Sequence, residues 1–146
     1  MSKVFKAVEC FNNGFNCAQA VFSTYTEELG MDPELARKAS CGFGAGMGRL
    51  CETCGAVSGA YLLIGLKYGM TNREDNEAKE KTYELVREFS NRFKQRNGFT
   101  GCRELLGIEL TNPDRTLVSG RVKAVCPKAV QDAAEIVEEL LGVGKE

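Results

Sequence analysis

The sequence predicts an all-α protein, a bundle of about five or six helices joined by short Gly, Asn and Pro loops within one domain, residues 1–146. Three observations carry this reading. Apolar residues recur at helical spacing along most of the chain. No long alternating run argues for a sheet. Cap and stop residues fall where the periodic segments begin and end.

Residues 2–12 place Val4, Phe5, Val8 and Phe11 on one face, and Asn12-Asn13-Gly14 stops them. Asn16 suits the cap of 17–29, which carries Ala20, Val21, Tyr25 and Leu29 and ends at Gly30. Asp32-Pro33 opens 33–41 as a cap followed by proline at the first helical position. Glycines 42, 44, 46 and 48 then read as a tight loop that allows close backbone approach near Cys51 and Cys54; a plain flexible connection is an equal alternative. Thr53 is expected to cap 54–69, which is apolar on nearly every face and begins with small residues. Such a helix is buried, either centrally or at a subunit interface. That much apolar surface needs covering, so the expectation is a homodimer. Residues 72–97 form a long helix with Val86, Phe89 and Phe93 as its stripe and Glu88–Arg92 as an i,i+4 pair. A short helix spans 102–106 and ends at Gly107. Thr111 to Asp114 is a turn, and the last helix covers about 127–141, with Pro127 at its first position.

Composition removes several function classes. Lys plus Arg is 19 and Asp plus Glu is 20, so the net charge is −1 and no basic excess is available for nucleic acid. There is no histidine, which removes Ser-His-Asp triads, Cys-His dyads, imidazole-ligated zinc and Cys-x-x-Cys-His haem attachment. The most apolar stretch, 56–66, is too short for a bilayer, which takes about 20 apolar residues. No apolar run follows the N-terminal lysines, so the expected location is the cytosol, without membrane insertion.

What remains is sulfur. Cysteines stand at 10, 17, 41, 51, 54, 102 and 126, an odd count that cannot pair fully within one chain. In a reducing compartment, clustered cysteines point to metal binding or thiol redox chemistry. Some of the seven are expected to be small buried hydrophobes. Cys17 follows the cap Asn16, Cys54 follows Thr53, Cys102 opens its helix, and Cys126 occupies the cap position before Pro127. Free N–H groups and the positive dipole end favour a thiolate at such places. Cys10 and Cys41 lie near helix C-termini and are expected to be packed thiols. Cys51 forms a Cys-x-x-Cys with Cys54. As a dithiol pair, Cys54 would attack and Cys51 would resolve, although no strand precedes the motif as in thioredoxin-type sites. A structural zinc site with four cysteine ligands is a third reading.

Asn16-Cys17-Ala18-Gln19, Gly46-Met47-Gly48, the Cys-Gly-Ala-x-x-Gly at 54–59, Cys102-Arg103-Glu104-Leu105-Leu106-Gly107 and Cys126 occur in that order. Together they resemble the C_GCAxxG_C_C family of redox-active proteins, across about residues 4–141. The resemblance places the family's four cysteines on Cys17, Cys54, Cys102 and Cys126. By analogy with a related domain of split-Soret cytochromes, it implies a Cys-ligated iron–sulfur cluster, [2Fe–2S] or [4Fe–4S]. The expected role is electron transfer or redox sensing with a redox partner protein, rather than an enzyme with its own substrate. Cys51 lies outside the family's defining positions, so the resemblance leaves its role open.

Overall fold

The structure, a computed structural model, describes residues 2–145. Its α-helices are α1 (Val4–Asn12), α2 (Cys17–Thr26), α3 (Pro33–Ser40), α4 (Gly55–Tyr68), α5 (Asn76–Asn97), α6 (Cys102–Leu106) and α7 (Arg115–Leu141). Among the described residues the extended backbone makes only an isolated antiparallel bridge, Thr53 with Gly101. The all-α expectation holds. No helix of the described residues is long and apolar enough to cross a membrane.

The apolar helix α4 is the centre, packed against α2, α5 and α7. Ala56, Val57, Ala60, Leu63 and Ile64 are fully buried along it. Its small residues bring it onto α2. A Cβ added at Gly59 would stand 2.9 Å from the Ala18 carbonyl oxygen, which is rigid helix backbone. The surface that motivated a homodimer is therefore largely covered by this chain's own helices. Gly59→Ala should overpack this contact and cost about 1–3 kcal/mol. The check is the denaturant midpoint; an unchanged midpoint contradicts the close approach.

Local chemistry explains the helix starts. Asn16 and Gln19 form a reciprocal capping box on α2, Gln19 N–H to Asn16 Oδ1 at 2.9 Å and Asn16 N–H to Gln19 Oε1 at 3.0 Å. Asn16 Nδ2 also donates to the Cys41 carbonyl at 2.9 Å, tying α2 to the end of α3. Asp75 caps α5 by accepting the Ala78 N–H, so α5 begins at Asn76 rather than 72. Its buried stripe is Leu85, Phe89 and Phe93, with Val86 only half-buried. Tyr25 on α2 donates to Glu138 of α7 at 2.6 Å. Tyr25→Phe removes a hydrogen bond to a charged group and should lower stability by about 1.5–3 kcal/mol in equilibrium unfolding.

Two segments depart from the sequence reading. The last helix does not start at Pro127. It starts at Arg115, where Asp114 accepts the Leu117 N–H at 3.1 Å, and runs through Pro127 to Leu141. Pro127 has no N–H for the Lys123 carbonyl, a defect worth about 3 kcal/mol in an isolated helix. Packing on both sides overrides it. Val118 is buried and Arg121 Nε bonds the Leu106 carbonyl at 2.8 Å on one side, while Ala129, Val130 and Ala133 are buried on the other.

The glycine loop is equally specific. Gly44–Gly48 turns left-handed, with Ala45, Gly46 and Met47 at φ 58°, 63° and 67°, and Arg49 and Cys51 follow at 70° and 58°. Left-handed backbone costs roughly 1–2 kcal/mol for each residue that carries a Cβ. The segment is held by the Arg49 N–H on the Ala45 carbonyl at 3.0 Å and the Glu52 N–H on the Gly46 carbonyl at 2.9 Å. It is an ordered wall, not a flexible connection.

Candidate functional site

Four elements deliver one cysteine each to a common place. Cys17 is the first residue of α2, Cys102 the first of α6, and Cys54 immediately precedes α4. Cys54 is itself the cap residue; Thr53, expected in that role, pairs with Gly101 instead. Cys126 lies inside α7, not at a helix start, so the dipole argument does not apply to it. All four nevertheless line one cavity of about 180 Å³ between α2, α4, α6 and α7. Apart from Asn16, the other described residues on its wall are apolar or glycine, among them Phe11, Leu106, Leu110, Val122 and Val125. Cys17, Cys54 and Cys102 are buried and Cys126 half-buried.

Glycines set the spacing. A Cβ on Gly55 would come within 2.9 Å of the Ala18 nitrogen and 3.1 Å of Cys17 Cβ. A Cβ on Gly46 would meet Cys51 Cα at 2.7 Å and Cys102 Cβ at 2.8 Å. The left-handed turn thus touches the Cys102 side of the cavity, and α4 touches the Cys17 side.

Burial leads at Cys54 and Cys102. Cys54 is pushed up to about 11 by burial, against the Ala56 and Val57 N–H groups, which pull the other way. Cys102 is pushed up to about 12, first by burial and then by the sulfurs of Cys54, Cys51 and Cys126. Cys17 and Cys126 share a thiol–thiol hydrogen bond that eases ionisation of Cys126 and holds Cys17 protonated well above the usual thiol range. Helix starts were expected to favour thiolates at Cys17, Cys54 and Cys102. Removal from water outweighs that for Cys54 and Cys102, and at Cys17 the shared hydrogen bond with Cys126 leads. A largely apolar cavity lined by four thiols needs a positive counter-charge before all four ionise.

These shifts predict a pH dependence of the metal-free protein. The folded values of Cys54 and Cys102 lie above the unfolded value near 9, so the native state holds their protons more tightly. Their contribution to stability is complete below about pH 9 and is lost as pH rises through about 11 for Cys54 and about 12 for Cys102. Cys54→Ser, whose hydroxyl does not titrate there, should flatten the alkaline fall in unfolding free energy. An equally steep fall in that variant would show that Cys54 is not the source.

The remaining cysteines separate. Cys10 is half-buried in α1 and raised by burial, against Ser23 and Arg37, as a packed thiol should be. Cys41 is exposed, which corrects the expectation that it packs; α3 stops at Ser40 and leaves it on the surface. Cys51 is buried but off the cavity wall, packed with Cys102, Leu106, Leu110 and Val118. Among the described residues, no group of three or more His, Cys, Asp or Glu side chains is placed to hold a single metal ion. The sulfurs border a void rather than meet at a point.

The sequence reading missed Val122 and Val125 as cavity walls because it began the last helix at Pro127, and it missed Leu110, which lies in the turn before α7. Val118, Val122 and Val125 stand at helical spacing and carried the signal.

Compared with protein-family models, residues 15–140 match the one described as "Putative redox-active protein (C_GCAxxG_C_C)". No curated protein and no solved structure matches the chain. The matched span contains Cys17, Cys54, Cys102 and Cys126 together with the turn and helices that bring them to one cavity, and on that match the chain belongs to the C_GCAxxG_C_C family of redox-active proteins.

Proposed function

We propose that Cys17, Cys54, Cys102 and Cys126 hold an iron–sulfur cluster and that the protein transfers single electrons to and from a partner protein, or reports redox state. The observation that carries this reading is the convergence of four thiols, from four separate elements, on one cavity of about 180 Å³ whose wall, apart from Asn16, is otherwise apolar or glycine. Thiolate is the donor such clusters take, and the absence of histidine leaves an all-sulfur shell as the natural one. When bound, the cluster supplies reversible one-electron chemistry. The chain's own part is to exclude water with Phe11, Leu106, Leu110 and Val125 and to fix the four sulfurs on rigid elements.

The other two readings have less support. A zinc ion draws its four sulfurs to about 2.3 Å from a common point, whereas these border a void. A dithiol enzyme needs an accessible thiolate. Cys51 and Cys54 are 1% and 5% exposed, and Cys54 is pushed toward the neutral thiol.

The test is anaerobic purification followed by a visible spectrum with iron, acid-labile sulfide and zinc counted on the same sample. Brown protein with matched iron and sulfide is the expected result. Colourless protein that stays metal-free after anaerobic reconstitution sinks the cluster reading. One zinc per chain without sulfide would replace it with the structural site.

A further inference from the structure

The last helix, α7, carries its charge in two blocks. Arg115, Arg121, Lys123 and Lys128 stand in its first half, which has no Asp or Glu between 115 and 131. Asp132, Glu135, Glu138 and Glu139 stand in its second half. The acidic block is engaged inside the chain. Arg92 and Arg96 of α5 meet Asp132, Glu135 and Glu139, and Glu138 accepts from the Tyr25 hydroxyl of α2. The basic block is not. Lys128 pairs with Asp132, but among the described residues Arg115, Arg121 and Lys123 make no ion pair. Arg115 bonds the Leu110 and Asn112 carbonyls and Arg121 the Leu106 carbonyl. Asp114, the acid just before them, is taken up capping the Leu117 N–H.

Helix stability does not account for this order. The dipole favours anions in the first turn and cations in the last, so Arg115 at one end and Glu138 and Glu139 at the other are both reversed. Contacts to α2 and α5 explain the acidic end. No contact among the described residues explains the basic one.

The basic half is also the exposed half, with Val118 its one buried residue before Ala129. Leu117, Gly120 and Ala124 face outward, Leu117 being 44% exposed. Helical spacing puts Lys123 along one edge of that strip and Arg121 and Lys128 along the other. Arg115, Thr116, Ser119, Gly120 and Lys123 line a shallow groove there that has no carboxylate. An apolar strip inside a charged rim is how a protein-docking surface is made up. On the inward side, Val122, Val125 and Cys126 of the same turns line the cavity. Cys126 is half-buried, whereas Cys17, Cys54 and Cys102 are buried.

We propose that residues 115–128 of α7 dock an acidic one-electron carrier protein and that the electron crosses by way of Cys126. The proposal rests on the cluster reading above. One electron passes between the site and the carrier, in either direction, so one is oxidised as the other is reduced; no bond breaks and no proton moves. The cationic rim steers the carrier's carboxylates onto this face and raises the encounter rate, an effect that salt screens. Four cations around an apolar strip suit a patch of carboxylates on a protein. Nucleic acid and anionic bilayers draw on a basic excess that a net charge of −1 does not supply.

The probe is a plant-type ferredoxin of strongly negative charge, added to the isotope-labelled full chain. At low salt the amide signals of residues 115–128 should shift, and the effect should vanish at high salt. The double variant Thr116→Glu/Lys123→Glu should abolish this footprint. Both positions are exposed, and an acid in the first turn suits the dipole, so the fold should survive. Arg87→Glu, exposed on α5, should leave the footprint intact. In the loaded protein, electron transfer with the ferredoxin should slow by about tenfold in the double variant at low salt and keep its rate in Arg87→Glu. No footprint at low salt, a footprint elsewhere, or one that survives the double variant overturns the docking surface. Shifts with phosphatidylglycerol vesicles but none with ferredoxin would make the face a membrane contact and also overturn it. A footprint on α7 with an unchanged transfer rate in the double variant overturns the route by Cys126. If the protein takes up no cluster while the footprint is present, the cluster reading fails and the electron step with it, although the docking surface stands.

Discussion

Alanine at any one of Cys17, Cys54, Cys102 or Cys126 is expected to reduce cluster loading to background, whereas alanine at Cys10 or Cys41 should leave iron and sulfide at wild-type levels. Each of the four lines the cavity; Cys10 sits half-buried in α1 and Cys41 on the surface. The measurement is iron and sulfide per chain after identical anaerobic reconstitution, read beside the visible spectrum. Loading also links four elements that are far apart in sequence, so binding free energy becomes folding free energy. Wild-type protein should therefore unfold at a higher temperature when loaded, and the four alanine variants should show no such increment. Full loading of Cys102→Ala, or loss of loading in Cys10→Ala, would contradict the ligand assignment.

Gly46→Ala should impair cluster loading strongly while leaving every cysteine in place. The added methyl meets Cys51 Cα at 2.7 Å, Cys102 Cβ at 2.8 Å and the Glu52 nitrogen at 2.9 Å. Two of the three are backbone atoms pinned by the 51–53 and 101–103 pairing, so none can give way cheaply. The backbone at Gly46 is also left-handed, at φ 63°. Overpacking and left-handed strain together should cost about 2–4 kcal/mol of stability. Because the collision falls on Cys102, loading should suffer beyond what the lost stability explains. The control is Gly48→Ala, also left-handed but with nothing within 4 Å of its added Cβ. It should lose only the strain contribution and keep its cluster. Equal behaviour of the two variants would show that close approach to Cys102 is unimportant.

How legible all this was depended on whether a local signal or a long-range contact decided each element. Asn16, Asp32 and Gly107 end or begin helices through chemistry within four residues, and the sequence reads them directly. Pro127 misled because a local rule met a tertiary override: burial of Val118 on one side and Val130 and Ala133 on the other outweighs one missing N–H. Cys126 therefore reached the cavity for a different reason from the one its sequence position suggested. The resemblance to the family picked out the same four cysteines without needing the helix boundary. The glycine segment showed its need for close approach, but not its handedness. Left-handed Ala45, Met47 and Arg49 carry no sequence signature, while the glycines among them, Gly44 and Gly46, are the residues that come close to Asn16 and Cys102. Thiol acidity was misjudged at Cys54 and Cys102 because burial, not helix position, dominates there, and burial depends on every neighbour at once.

Iron-edge X-ray absorption on anaerobically loaded protein tests the central claim most directly, since it reads the atoms around the metal. Cys17, Cys54, Cys102 and Cys126 predict a first shell of sulfur alone, with an iron–iron distance beyond it. A shell dominated by oxygen or nitrogen, without an iron neighbour, would mean adventitious iron and would contradict a cluster held by these four cysteines.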